Sequence, residues 1–148
     1  MQTFLAFPLF EKAAKILDRQ RLGKQRVECL QILQCLTEER VGWKNHPCVK
    51  MWAGHEKSLA VYGLYICNEW IKRGYKDTCF GKIQKFIPNY VFREFNFIEY
   101  FKKIESPSWL GDNKFHSTHR AALLYKNFDY YKQFGWTEKP ELNYIWPV

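Results

Sequence analysis

The chain has 148 residues and a formal net charge of +8 at pH 7, with 47% hydrophobic and 18% aromatic residues. That length fits one domain able to bury a core without disulfide or metal staples, and aromatic residues from end to end exclude a disordered polymer. No apolar run approaches the ~18 residues of a membrane span, so the excess of cations points to a polyanion, with nucleic acid ahead of an anionic membrane surface.

In chain order, the opening stretch MQTFLAFPLFEK has neither a basic n-region nor a small-residue cleavage site and reads as part of the mature protein. A first helix is expected over residues 8–20, with Pro8 in its first turn and Leu9, Ala13 and Ile16 on one side. A second, over residues 24–38, repeats apolar groups at Cys29, Ile32, Leu33 and Leu36. Gly23 is expected to break the chain between the two. After a turn-rich connector, RVGWKNHPCVKMWAGH, a third helix spans residues 56–73 and ends at Gly74, with Gly63 inside it admitting a close neighbour. A shorter helix is expected from Asp77 to Phe86, broken by Pro88. Residues 90–104 fit helix or strand, and a further helix begins near Ser117. The tail from Gly135 is irregular, with Trp136, Tyr144 and Trp146 packing back onto the body. The expected architecture is mainly α: a compact single-domain fold with three principal helices and long irregular connections. The five cysteines, Cys29, Cys35, Cys48, Cys67 and Cys79, form no C-x-x-C pair; Cys29, Cys35 and Cys67 sit in helical stretches and read as small buried hydrophobes, and the expected setting is intracellular.

Chemistry concentrates between the first two helices. Residues 12–26 carry six cations, Lys12, Lys15, Arg19, Arg21, Lys24 and Arg26, against one acid, Asp18, a net +5. Such a run is either a solvated charged face or a phosphate-binding turn beside a helix N-terminus, where guanidinium forks and backbone N–H groups share one positive field. Clustering without interleaved acids favours DNA contact by Arg19, Arg21, Lys24, Gln25 and Arg26. Glu28 lies four residues after Lys24, so it is either an ordinary helical ion pair or a general base in a basic pocket. Asp18 is a second acid, or a brace for an arginine. His116, His119 and Arg120 form an H-x-x-H-R run that suits phosphate contact or a structural role. Two histidines do not complete a zinc site, and no metal or other cofactor is expected.

Three anchors carry a family resemblance: "RV" (Arg26, Val27) leading into a helix, "AGH" (Ala53 to His55) before a long helix, and that helix's ending NEWIKRGYKDT (Asn68 to Thr78). A tyrosine- and lysine-rich stretch, YKNFDYYKQFG, is a looser fourth. In these the chain resembles the pyrimidine-dimer DNA glycosylases typified by phage endonuclease V. The resemblance implies a helical domain with the N-terminus threaded between helices. It also implies a bifunctional enzyme on lesion-bearing double-stranded DNA: the α-amino group attacks the sugar C1′ to form an imine, and β-elimination then cuts the strand. A glutamate assists. An α-amine with a pKa near 8 is roughly a tenth free base at neutral pH, far more than lysine, and a cationic surround increases that share. Where the family places its glutamate this chain has Gly23, so Glu28 or Asp18 must serve. Position 2 is Gln2, before which initiator methionine is kept, so the amine is that of Met1. The expectation is thus a monomeric, intracellular DNA glycosylase and AP lyase without membrane partners, in host repair or phage-encoded. The alternatives are a non-catalytic nucleic-acid-binding module and a monofunctional glycosylase using carboxylate-activated water.

Overall fold

The structure, a computed structural model, describes residues 1–37, 42–87 and 104–148. Among these the regular structure is entirely helical: α1 (Phe10–Lys15), α2 (Arg19–Leu36), α3 (Pro47–Lys50), α4 (Glu56–Lys72), α5 (Phe80–Ile83), α6 (Asn113–Lys126) and α7 (Phe128–Tyr131), with 3-10 turns at Gln84–Phe86 and Lys132–Phe134. The mainly α class is as expected; of the three principal helices expected, those over 24–38 and 56–73 are α2 and α4, while the one over 8–20 is only the six-residue α1, and the third long helix is α6. Pro88 and the ambiguous stretch 90–104 lie, but for Ile104, outside the described residues.

α2 and α4 share the largest helix–helix interface. Gly63 permits it: a Cβ there would lie 2.5 Å from Cys29 Sγ and 3.0 Å from Ile83 Cδ1. One hydrophobic core spreads from this seam, with Leu22, Ile32 and Leu33 of α2 and Leu59, Tyr62, Leu64 and Ile66 of α4 fully buried. The irregular tail folds back on it through Trp136, Tyr144 and Trp146.

Helix boundaries differ from expectation in four places, one of them α5, which covers only Phe80–Ile83 of the expected Asp77–Phe86 and passes into a 3-10 turn. α1 is shorter, because the Arg73 guanidinium takes the carbonyls of Leu17 (2.8 Å) and Lys15 (2.9 Å) and stops the helix there. α2 begins five residues earlier and runs straight through Gly23. The basic stretch is therefore not a turn but the first two turns of α2. Gly23 serves packing: a Cβ would sit 2.9 Å from the ring of Trp70, itself stacked on Tyr75. Asp18 holds the N-cap position without capping, since its carboxylate is engaged by Arg21 (3.0 Å) and by the Tyr131 hydroxyl. α6 begins before Ser117 because Asp112 accepts hydrogen bonds from the N–H groups of Lys114 and Phe115.

The feature that positions the site is the N-terminal segment. Residues 2–6 run extended through the interior, all buried. Such a segment needs partners for its backbone polar groups; Gln2 Oε1 takes the Thr3 N–H at 2.8 Å, and side chains from three helices meet others. From α2, Gln25 accepts from Phe4 N–H at 2.6 Å and donates to the Gln2 carbonyl. From α4, the Tyr62 hydroxyl lies 2.9 Å from both the Phe4 carbonyl and Gln25 Oε1. From α6, His119 Nδ1 accepts from Leu5 N–H at 3.0 Å, His116 Nδ1 meets the Leu5 carbonyl at 2.7 Å, and Arg120 donates to the Ala6 carbonyl at 2.7 Å.

Candidate active site

The threaded segment delivers the Met1 nitrogen into a pocket of about 350 Å³. One wall is the first three turns of α2, contributing Gln20, Arg21, Lys24 and Glu28. The opposite side is Lys126 at the end of α6 and Tyr144 of the tail, and Met1, Gln2 and Phe4 complete the lining. Arg21, Lys24 and Glu28 share a helical face because they are three and four residues apart.

Glu28 is the pocket's acid, with a side chain only 12% exposed. Its Oε1 lies 4.0 Å from the Met1 nitrogen and 3.6 Å from Lys24 Nζ. It thus bridges two amines at ion-pair distance, leaving the amine free of a direct hydrogen bond to it. Asp18, the other acid weighed from the sequence, is bound to Arg21 and Tyr131 and braces the start of α2. The Met1 side chain packs on the core, which fixes the direction of the nitrogen.

The remaining expected DNA contacts divide by position. Arg21 and Lys24 line the pocket with the amine, and Lys24 is 74% exposed. Arg19 is exposed on another side of α2, over the Tyr75 ring at 5.0 Å. Arg26 is turned to the protein: it pairs with Asp77 at 2.5 Å and lies 4.4 Å from the Trp70 ring. Burial pushes Asp77 up, and the N–H groups of Phe80 and Cys79 with the Arg26 guanidinium outweigh it, leaving the carboxyl below its usual range. Gln25, His116 and His119 are buried and engaged with the N-terminal segment. Gly111 N–H donates to His116 Nε2 at 2.9 Å, so that ring carries its proton on Nδ1 and gives it to the Leu5 carbonyl. His119 accepts at Nδ1 and keeps its proton on Nε2. Burial, with help from His116 and Arg120, pushes His119 down to about 3. Both rings are spent on the chain's own backbone, which removes them as phosphate contacts. Arg120 is held between the Ala6 carbonyl and Glu138.

Cysteine nucleophiles are disfavoured by the same burial. Desolvation pushes Cys48 up to about 12 and raises Cys29 and Cys67 further. Among the described residues no group of three or more His, Cys, Asp or Glu is placed to hold a metal ion, and no helix is long and apolar enough to cross a membrane.

The profile of the family described as pyrimidine dimer DNA glycosylase matches residues 1–82, more than half of the 148. The chain belongs to that family. It is accordingly a DNA-repair glycosylase by family, with DNA as its substrate. No curated protein and no solved structure matches the chain. The family match takes in the amine, all of α2 and α4, and Asp77. The far wall of the pocket, Lys126 and Tyr144, comes from beyond it. Those two residues, with Gln2, Phe4 and Gln20, are what reading the sequence missed. Only the repeated basic character of YKNFDYYK hinted at Lys126, and nothing local marks Tyr144.

Proposed function

We propose that this family member excises a pyrimidine dimer or related lesion through an imine on the Met1 α-amine and then cleaves the abasic strand by β-elimination. The observation that carries this reading is the Met1 nitrogen 4.0 Å from Glu28, inside a pocket whose lining includes the cations Arg21, Lys24 and Lys126. The amine attacks C1′ as the bond from C1′ to the base breaks, and Glu28 takes the proton the nitrogen sheds. The departing base carries away the bonding pair and is protonated as it leaves. The sugar ring opens to an imine. Loss of a proton from C2′ then breaks the C3′–O bond and frees the phosphate, and water releases the sugar remnant from the nitrogen. Glu28 opposes the positive charge that develops at C1′ and nitrogen. Arg21, Lys24 and the exposed Arg19 hold the strand by its phosphates. Opening the duplex is cheapest where a lesion has already weakened stacking.

In this reading Glu28 serves in place of the acid that the family resemblance would put at Gly23. The test is borohydride reduction during reaction with a duplex carrying one abasic site, followed by mass analysis of the intact chain and its N-terminal peptide. A covalent adduct on Met1 is expected. Base release from a dimer-containing duplex without any adduct would transfer the reaction to carboxylate-activated water, and salt-sensitive binding without either would return the chain to a binding module.

A further inference from the structure

The pocket holds three amines, and their surroundings differ. The Met1 nitrogen and Lys24 Nζ both face Glu28, at 4.0 and 3.6 Å. Lys126 lines the same pocket from the other side, and among the described residues no carboxylate forms an ion pair with it. Its backbone is placed by the end of α6 and by Arg21, whose Nη2 donates to the Lys126 main-chain carbonyl at 3.4 Å. The charged groups around it are Arg21, Lys24 and Glu28. Burial, then the two cations, lower its pKa from the usual lysine value, and Glu28 opposes them. An ordinary lysine is free base less than about once in a thousand at neutral pH, and every unit of lowering multiplies that share about tenfold.

An amine with this setting has a use only if an electrophile comes within reach. The proposed function supplies one, since an abasic sugar in its ring-opened form is an aldehyde held between the α2 wall and Lys126. We propose that Lys126 is a second imine-forming amine of this pocket, acting on abasic sites already lacking their base. The step balances without a further reactant. Lys126 Nζ adds to the C1′ aldehyde and water leaves as the C=N bond forms. Loss of the C2′ proton then breaks C3′–O and releases the phosphate, and water returns the lysine. The α-amine would remain the group that displaces an intact base, which demands a nucleophile seated beside Glu28. This inference rests on the proposed function, yet concerns a different nitrogen.

The experiment uses full-length protein whose Met1 nitrogen has been acetylated, incubated with a duplex carrying one abasic site and trapped with borohydride. The adduct is expected to persist and to map by peptide mass analysis to Lys126. Lys126→Arg keeps the positive charge but cannot form an imine. In the acetylated protein it should lower adduct yield about tenfold or more while leaving duplex affinity unchanged. No adduct in the acetylated protein, an adduct on Lys24, or an undiminished yield in Lys126→Arg each overturns the assignment. The unacetylated protein is the control for the underlying reading: if it too gives no adduct, the imine mechanism itself is gone, whereas an adduct on Met1 there with none in the acetylated protein removes Lys126 alone.

Discussion

Replacing Glu28 with glutamine tests the site most directly, since it removes a charge and keeps the shape. At the observed 4.0 Å from the Met1 nitrogen, two unit charges interact by about 4 kcal/mol at an effective dielectric near 20 and by about 1 kcal/mol in bulk water. The carboxylate is 12% exposed, which places the pair between those limits, at about 2 kcal/mol. If the same charge opposes the cation developing at C1′, its loss slows imine formation about 30-fold, and loss of the proton acceptor slows it further. The assay is single-turnover base release from a duplex with one thymine dimer, with borohydride-trapped adduct followed in parallel and duplex affinity measured by anisotropy. Rate and adduct formation should fall together. Affinity should hold or tighten, because the pocket loses its one acid. A Glu28→Gln protein that forms adduct at the wild-type rate would refute the argument, and one that merely lost affinity would make Glu28 a scaffold for Lys24.

Other outcomes follow from the same geometry. Arg21→Ala or Lys24→Ala should each weaken duplex binding and flatten its logarithmic salt dependence by about one unit. Arg26→Ala, whose guanidinium is committed to Asp77 and Trp70, should instead lower the melting temperature and leave the salt slope alone. Gln25→Ala strands the Phe4 N–H and the Gln2 carbonyl in the interior. It should cost about 2–4 kcal/mol in denaturant unfolding and abolish excision by releasing the segment that carries the amine. Gly63→Ala drives a methyl into Cys29 and Ile83 and should cost about 1–3 kcal/mol by the same measurement. His119 is neutral in the folded state down to about pH 3 but takes a proton near pH 6.5 when unfolded. Stability is therefore full above ~6.5 and falls between there and 3, by at most about 1.4 kcal/mol per pH unit from this ring. His116 shifts in the same direction. His119→Asn, which keeps an acceptor for Leu5 N–H, should give a shallower acid dependence of melting temperature.

What could be read from the sequence was what neighbours along the chain decide. The apolar spacing of α2 and α4 is a local signal, and so is the step from Lys24 to Glu28 that brought out the pocket's acid. Gly63 was legible because a glycine inside a helix demands a close neighbour, and Cys29 is that neighbour. Gly23 looked like a break because its reason, the ring of Trp70, lies on another helix. His116 and His119 showed the spacing of a surface contact, while their partner is the backbone of Leu5 at the other end of the chain. Arg26 counted as one more cation until Asp77 appeared beside it. Lys126 and Tyr144 belong to the pocket only through the folding-back of α6 and the tail, which no periodicity reports.

The threading of residues 2–6 sets an order on biosynthesis. Leu5 is secured by His116 and His119, more than a hundred positions downstream, so the first residues translated wait for nearly the last before they can dock. Until α6 has left the ribosome, the leading nitrogen has no wall opposite it and no fixed aim. A product ending before α6 would carry the α2 cations without Lys126 beside them, so the nitrogen is aimed only once α6 has docked.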